Sequence, residues 1–321
     1  MTATTTATRP AVTATGLRKS FGGTTVLDGI DLTVPEGTIF SLLGPNGAGK
    51  TTIVRILSTL IPADSGEIRV AGFRLAGDPD AVRAAIGVTG QFSAVDGLLT
   101  GEENLLLMAD LQHLGRREGR RRAAALLERF GLADAAGKQA GTYSGGMVRR
   151  LDLAMTLVGD PQLIFLDEPT TGLDPRARRT VWQIIRGLAA DGITIFLTTQ
   201  YLDEADQLAS QIAVLDQGRI VAEGSPAELK RRIPGGHIQL QFATPAEFAA
   251  AARLLRTASR DEDTLTLRVP GDGDVRAVRD LLGTLDGAAI GTGRLSVHSP
   301  DLDDVFFAFT GHPSAPEENA R

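Results

Sequence analysis

The stretch Gly44-Pro45-Asn46-Gly47-Ala48-Gly49-Lys50-Thr51-Thr52 decides how the rest of the chain is read. Gly44, Gly49, Lys50 and Thr51 stand at the fixed positions of the phosphate-binding pattern G-x-x-x-x-G-K-[ST]. Glycines let backbone N–H groups turn inward around phosphate oxygens, and a helix opening at Lys50 aims its positive dipole end at them. In this reading Lys50 reaches the β and γ phosphates of a nucleoside triphosphate, and the Thr51 hydroxyl holds Mg²⁺. The flanks agree. Thr38 to Leu43 is a β-rich apolar run, and Ile53, Ile56, Leu57 and Leu60 recur at helical spacing. The competing reading, an ordinary glycine-rich turn, does not call for a strand on one side and a helix on the other.

Upstream, Val12 to Phe21 and Thr25 to Val34 read as strands around a Gly22-Gly23 turn, preceded by a threonine-rich tail over residues 1–11 that lacks the apolar core of a signal peptide. Downstream, about 91–160 shifts towards helix, with Glu102 to Leu111 and Arg116 to Phe130 charged and rich in leucine or alanine. Strand signals return at Leu163 to Leu166 and Ile193 to Thr198. The Arg176 to Ala190 helix between them predicts parallel strands joined by a crossover, in a sheet buried on both faces.

A break at Pro234-Gly235-Gly236 ends this region near residue 232. Beyond it, His237 to Phe242, Thr264 to Val269 and Leu295 to His298 read as strands, and Ala246 to Leu255 and Val275 to Leu285 as helices. They form a small α+β domain over 233–312, followed by a tail over 313–321. A last helix, Asp301 to Phe309, is expected to take Ser299 as N-cap and Pro300 as its first residue.

Two further segments carry chemistry. Leu163 to Leu166 runs into Asp167-Glu168, where one carboxylate can bind Mg²⁺ through water and its neighbour can take a proton; Glu168 is the candidate general base. Tyr143-Ser144-Gly145-Gly146-Met147 precedes a helix over Val148 to Leu157, so Ser144 and the amides of Gly145 and Gly146 make either a helix-opening turn or a second anion site.

Taken together, the phosphate loop, Gln91, the Ser-Gly-Gly segment, Asp167-Glu168 and Thr171-Gly172-Leu173-Asp174 resemble, in order and spacing over about Val12 to Ala227, the ATPase subunits of ABC transporters. The resemblance implies an α/β fold: a P-loop NTPase core with a helical subdomain, plus the small C-terminal domain. It implies that ATP is held by the phosphate loop of one subunit and closed over by Ser144 to Gly146 of another, so that a second copy is required. Phe21 then corresponds to the aromatic that stacks on adenine, unless it is a core phenylalanine. Gln91 corresponds to the glutamine that senses Mg²⁺ and the attacking water next to the membrane partner, unless it is a solvated loop residue. Residues 92–99 would pass closure on to that partner.

Two departures stand out. Gln200 occupies the position of the usual switch histidine; its amide can bond a γ-phosphate but carries no charge near neutral pH. Tyr143 and Met147 replace the usual Leu and Gln. Both departures, and the segment from Ser299 to Gly311, resemble the daunorubicin/doxorubicin-resistance branch of drug-exporter ATPases.

Composition sets the outer bounds. There are 321 residues with a net charge of −6, which argues against a nucleic-acid partner. The chain has no cysteine, which removes thiolate catalysis, Cys-zinc sites and disulfides. No apolar run approaches the ~20 residues of a membrane-spanning helix, so a membrane role requires a separate permease subunit, with this chain on the cytoplasmic side. The expected function is MgATP hydrolysis driving export of a hydrophobic or amphipathic drug, anthracycline-like in class. A soluble ATPase of DNA repair or ribosomes and a binding-only regulator are the rival readings.

Overall fold

Leu163–Asp167 (β7) and Thr194–Thr199 (β8) are buried at every position, and their side chains alternate between two apolar layers. Ile164, Leu166, Ile195 and Leu197 join one cluster, while Phe165 and Phe196 join the other. This is what a sheet covered on both faces demands of its strands. The computed structural model describes residues 10–311 except 92, 234, 235, 272, 273 and 299.

The six-stranded sheet runs in the order β10 (Arg219–Gly224), β9 (Gln211–Asp216), β3 (Ile39–Leu43), β8, β7, β6 (Ile86–Thr89). All neighbours are parallel except β10, which returns antiparallel to β9. Helix α6 (Pro175–Ala190) makes the crossover from β7 to β8, with Asp174 capping its first amides and Pro175 at its first position. An antiparallel sheet of β1 (Pro10–Phe21), β2 (Thr24–Pro35), β4 (Ser65–Val70) and β5 (Phe73–Arg74) stands beside it, in the order β2-β1-β4-β5. Leu17, Leu27 and Ile30 of this sheet share a core with Phe40, Ile53 and Leu57, so α1 (Lys50–Leu57) is packed between the two. Phe40 and Phe196 stack with ring centroids 5.3 Å apart.

Between β6 and β7 the described residues form helices, with an isolated bridge between Thr100 and Gln139 as their only strand-like pairing. They are α3 (Gly101–Leu111), α4 (Arg116–Arg129) and α5 (Gly145–Thr156). Leu105, Leu126, Leu127 and Leu151 bury one face of each in the core shared with α6. Helix α2 (Pro79–Ala85) leads into β6, and α7 (Leu202–Leu208) joins β8 to β9.

The chain divides into two compact units at Pro226/Ala227. Helix α8 (Pro226–Arg232) therefore lies almost wholly in the second unit, rather than closing the first as the position of Pro234-Gly235 suggests; those two residues are outside the described set. The second unit is an antiparallel sheet β12 (Ser259–Asp261), β13 (Thr266–Pro270), β11 (His237–Gln241), β14 (Arg294–His298), with helices α9 (Pro245–Leu254) and α10 (Val275–Gly287). Leu240, Phe248, Leu267 and Leu285 make its core.

Two expectations are corrected. Strand β1 begins at Pro10, so Pro10 and Ala11 belong to the sheet and not to a tail, because Pro10 pairs with Pro35 across the first ladder. The last helix, α11 (Leu302–Thr310), is capped by Asp301, whose carboxylate accepts from the Asp304 amide while Asp304 accepts from the Asp301 amide. This reciprocal box satisfies two orphan donors at once, and it leaves Pro300 ahead of the helix. Ser299, expected as the cap, is outside the described residues.

Candidate functional site

The carboxyl ends of four adjacent parallel strands assemble the site. Strand β3 delivers the loop Gly44–Thr52, β8 delivers Gln200, β7 delivers Asp167 and Glu168, and β6 delivers Gln91. Register fixes the spacing: Leu43 pairs with Thr199, Thr198 with Asp167, and Leu166 with Thr89. Ligands of open parallel sheets bind at this edge.

Glycine is required in the loop for two different reasons. At Gly49 the backbone has φ 110°, and an added Cβ would lie 2.7 Å from Leu27 Cδ2. At Gly44 the conformation is ordinary, but a Cβ would stand 2.4 Å from the carbonyl oxygen of Leu215 on β9. Gly49 is also the N-cap of α1, and no side chain caps that end, so the first amides of the helix are available to an anion. Lys50 is 5% exposed. Its ammonium donates to the carbonyls of Gly44 (2.8 Å) and Pro45 (3.1 Å) and lies 3.5 Å from Glu168 Oε1. Burial lowers its pKa, and the neighbouring Glu168 and Asp167 carboxylates oppose that shift. Open helix amides, a loop that a Cβ would fill and a buried ammonium fit a phosphate chain, and the exposed Thr51 with the nearby Asp167 fits its Mg²⁺. Pro45, Asn46, Gly47, Ala48 and Thr52 complete the same loop and helix start.

Asp167 is buried and its Oδ1 accepts from Thr198 Oγ1 at 2.5 Å. Glu168 has φ 49°, unfavourable for a residue with a Cβ. Its amide donates to the Thr198 carbonyl and hydroxyl, both at 3.1 Å, and Thr171 Oγ1 donates to its Oε2 at 3.2 Å. The strained turn thus points the carboxylate towards Lys50. Thr198, which holds both acids, was not singled out from the sequence, in which it stands 31 residues from Asp167.

Phe21 is 48% exposed at the end of β1 and lies under the Lys19 ammonium, 5.3 Å from the ring centroid. It is not a core residue, and its ring is open to a planar group. Gln91 is exposed and Gln200 half-buried. Phe92, expected in the segment that follows Gln91, is outside the described residues.

Ser144 caps α5, accepting from the Met147 amide at 3.3 Å. Together with Gly146, Arg150, Asp174 and Arg176 it lines a pocket to which none of residues 44–52 contributes. The structure therefore brings Lys50, Glu168, Gln91 and Gln200 to one edge and gives Ser144 to Gly146 a surface of their own. The tyrosine that replaces leucine ahead of Ser144 has a structural use. Tyr143 donates its hydroxyl to the Ala135 carbonyl at 2.6 Å, and that hydroxyl sits where a Cβ on Gly101 would fall.

The ABC transporter family model matches residues 27–171. A daunorubicin resistance ATP-binding protein of Streptomyces coeruleorubidus is 48% identical over 94% of this chain and 95% of its own length. A daunorubicin/doxorubicin resistance ATP-binding protein of Streptomyces peucetius is 47% identical over 95% and 93%. A Nod factor export ATP-binding protein of Rhizobium sp. (strain N33) is 38% identical over 94% and 97%. Among solved structures, an ATP-binding subunit of an ABC transporter superposes with a TM-score of 0.62 at 28% identity, covering 69% of this chain and 92% of that one. The chain belongs to the ATP-binding subunits of ABC transporters, as an ATP hydrolase of the exporter branch that includes the daunorubicin and doxorubicin resistance proteins.

Proposed function

We propose that two copies of this chain sandwich two MgATP molecules head to tail and that their hydrolysis drives efflux of a hydrophobic or amphipathic drug, anthracycline-like in class, through a separate integral-membrane permease. The observation that carries the reading is the division of the site: one sheet edge holds Lys50, Glu168, Gln91 and Gln200, while the Ser144 helix start opens into another pocket. A second protomer unites the two.

In each site Phe21 stacks on adenine, the loop amides and Lys50 hold the phosphates, and Ser144, Gly145 and Gly146 of the partner copy meet the γ-phosphate from the far side. Thr51, Gln91 and, through water, Asp167 would hold Mg²⁺, which would supply positive charge to offset what builds up during phosphoryl transfer. Glu168 orients the attacking water and accepts its proton on a carboxylate oxygen. Gln200 donates its amide to the γ-phosphate and takes no part in proton transfer.

The location that follows is peripheral, at the cytoplasmic face of the membrane. Among the described residues no helix is long and apolar enough to cross a bilayer. Leu98, Leu107 and Leu111, exposed after Gln91, supply apolar surface for a permease. The relatives' names support the drug class, and they weigh against a repair or ribosomal ATPase and against a binding-only regulator.

The test is Glu168→Gln. Turnover should fall by roughly 10² to 10⁴, the usual contribution of a general base, and an ATP-dependent dimer should accumulate in light scattering. Undiminished turnover refutes the assignment of the base. Affinity purification from membranes should bring down an integral-membrane protein whose drugs stimulate the ATPase.

A further inference from the structure

We infer that Arg149, held by Asp152, is a positioning residue that keeps Gln91 and Glu168 in register with the helix that carries Ser144. The inference rests on the proposed ATPase cycle.

Both residues lie on α5, three apart and buried, and they form an ion pair at 3.1 Å. What they grip is more informative than the pair itself. Arg149 Nε donates to the Pro169 carbonyl at 2.7 Å, and one terminal nitrogen reaches the Asp167 carbonyl at 3.5 Å. Those two carbonyls flank Glu168 on either side. The other terminal nitrogen donates to the Gly90 carbonyl at 3.3 Å, while Asp152 Oδ1 accepts from the Ala94 amide at 3.1 Å. Gly90 immediately precedes Gln91, and Ala94 follows it by three residues. One guanidinium and one carboxylate therefore clamp the backbone around the candidate base and around the candidate sensor, and both project from the helix whose N-cap is Ser144.

Burying this pair has a cost that packing does not explain. Desolvation lowers the Arg149 pKa and raises that of Asp152, each opposed by the partner's charge. A buried ion pair contributes little net stability compared with apolar residues of like size, so its retention calls for another use. Arginine is the side chain suited to that use. Its planar fork serves several acceptors in fixed directions, whereas the single ammonium of lysine cannot meet Pro169, Gly90 and Asp152 together. A movement of α5 when the partner copy closes would then be transmitted to the backbone at Gln91 and Glu168 through the same fork.

Two variants of the full-length chain test this. Arg149→Lys keeps the charge pair and loses the fork; Arg149→Met with Asp152→Leu removes both charges and strands neither. For each, a fluorescent ATP analogue should bind within twofold of wild type, while kcat falls tenfold to a hundredfold with KM little changed, as misplacement of reacting groups by about 1 Å does. In the double variant, hydrogen exchange across residues 90–96 should accelerate at least tenfold with the global unfolding temperature held. A purely structural pair would let Arg149→Lys turn over at the wild-type rate, and that result overturns the inference. Unchanged exchange over 90–96 overturns it equally, and this readout holds even if the wild-type chain hydrolyses nothing, an outcome that would sink only the proposed ATPase cycle.

Discussion

Glu204 offers a perturbation whose size can be worked out in advance. Its carboxylate, on α7 four residues after Gln200, is fully buried; Oε1 accepts from Thr170 Oγ1 at 2.7 Å and from Trp182 Nε1 at 3.0 Å. It thus ties α7 to α6 and to the loop that follows Glu168. Glu204→Leu strands two buried donors at about 1–3 kcal/mol each, or about 2–6 kcal/mol in all. Removing a desolvated carboxylate recovers part of this, so the lower half of that range applies. At about 2–4 °C per kcal/mol for a unit of this size, the unfolding temperature should drop by roughly 4–16 °C. Glu204→Gln keeps an acceptor in place and should unfold no lower than wild type at neutral pH. Trp182 is the only tryptophan in the chain, so its emission on heating reports on this contact directly. Equal unfolding temperatures for the Leu and Gln variants would refute the argument. The pH dependence provides a second check. Burial raises the Glu204 pKa, partly opposed by the Thr199 and Thr170 hydroxyls and the Trp182 indole, so the folded chain holds this proton more tightly than the unfolded one. The resulting stability is fully present below pH 4.5, the ordinary value for the group, and is lost as pH rises through the folded value. Wild type should therefore lose stability relative to Glu204→Gln as pH rises above 4.5.

Phe21→Ala should weaken ATP binding roughly tenfold, in line with ~1–3 kcal/mol for an aromatic stacked on a base, and leave the unfolding temperature unchanged because the ring is exposed; calorimetric titration with ATP measures it. Gln200→His should add to the pH–rate profile a single-proton limb near the ordinary histidine value of about 6.5, absent from wild type, and a profile that overlays wild type would show that residue 200 does not face the reacting phosphate.

The phosphate loop was legible because its constraints are local: Gly49 needs its φ and Gly44 its proximity to β9, and both leave a fixed spacing in the sequence. Strands β7 and β8 were legible as runs of consecutive apolar residues, the pattern of a sheet buried on both faces. Residues 61–90 and 211–224 were not assigned, although they hold β4, β5, β6, β9 and β10. Ser-Glu-Arg alternation in β4 and the polar Ser259–Asp261 of β12 reflect pairing partners, and no intrinsic preference announces them. The supports of the site were hidden for a related reason. Thr198 lies 31 residues from Asp167, and Arg149 reaches Gly90 across 59, so neither contact leaves a spacing that a reader can recognise.

The charges at the sheet edge lead to one more step. Lys50 supplies a single positive charge against the two carboxylates of Asp167 and Glu168, and Gln200 adds none where a histidine could. A triphosphate placed there increases the excess of negative charge, which Mg²⁺, the open N-terminus of α1 and a donor from outside the protomer must then offset. The N-terminus of α5, opening with Ser144, Gly145 and Gly146, is such a donor, and in its own chain it faces a pocket free of the phosphate loop. On the proposed shared site, a neutral residue at 200 makes hydrolysis depend more heavily on the partner's helix end than a histidine would. Turnover per chain should therefore rise steeply with protein concentration through the dimerisation range, and a rate per chain that is independent of concentration, with light scattering showing monomers, would contradict the shared site.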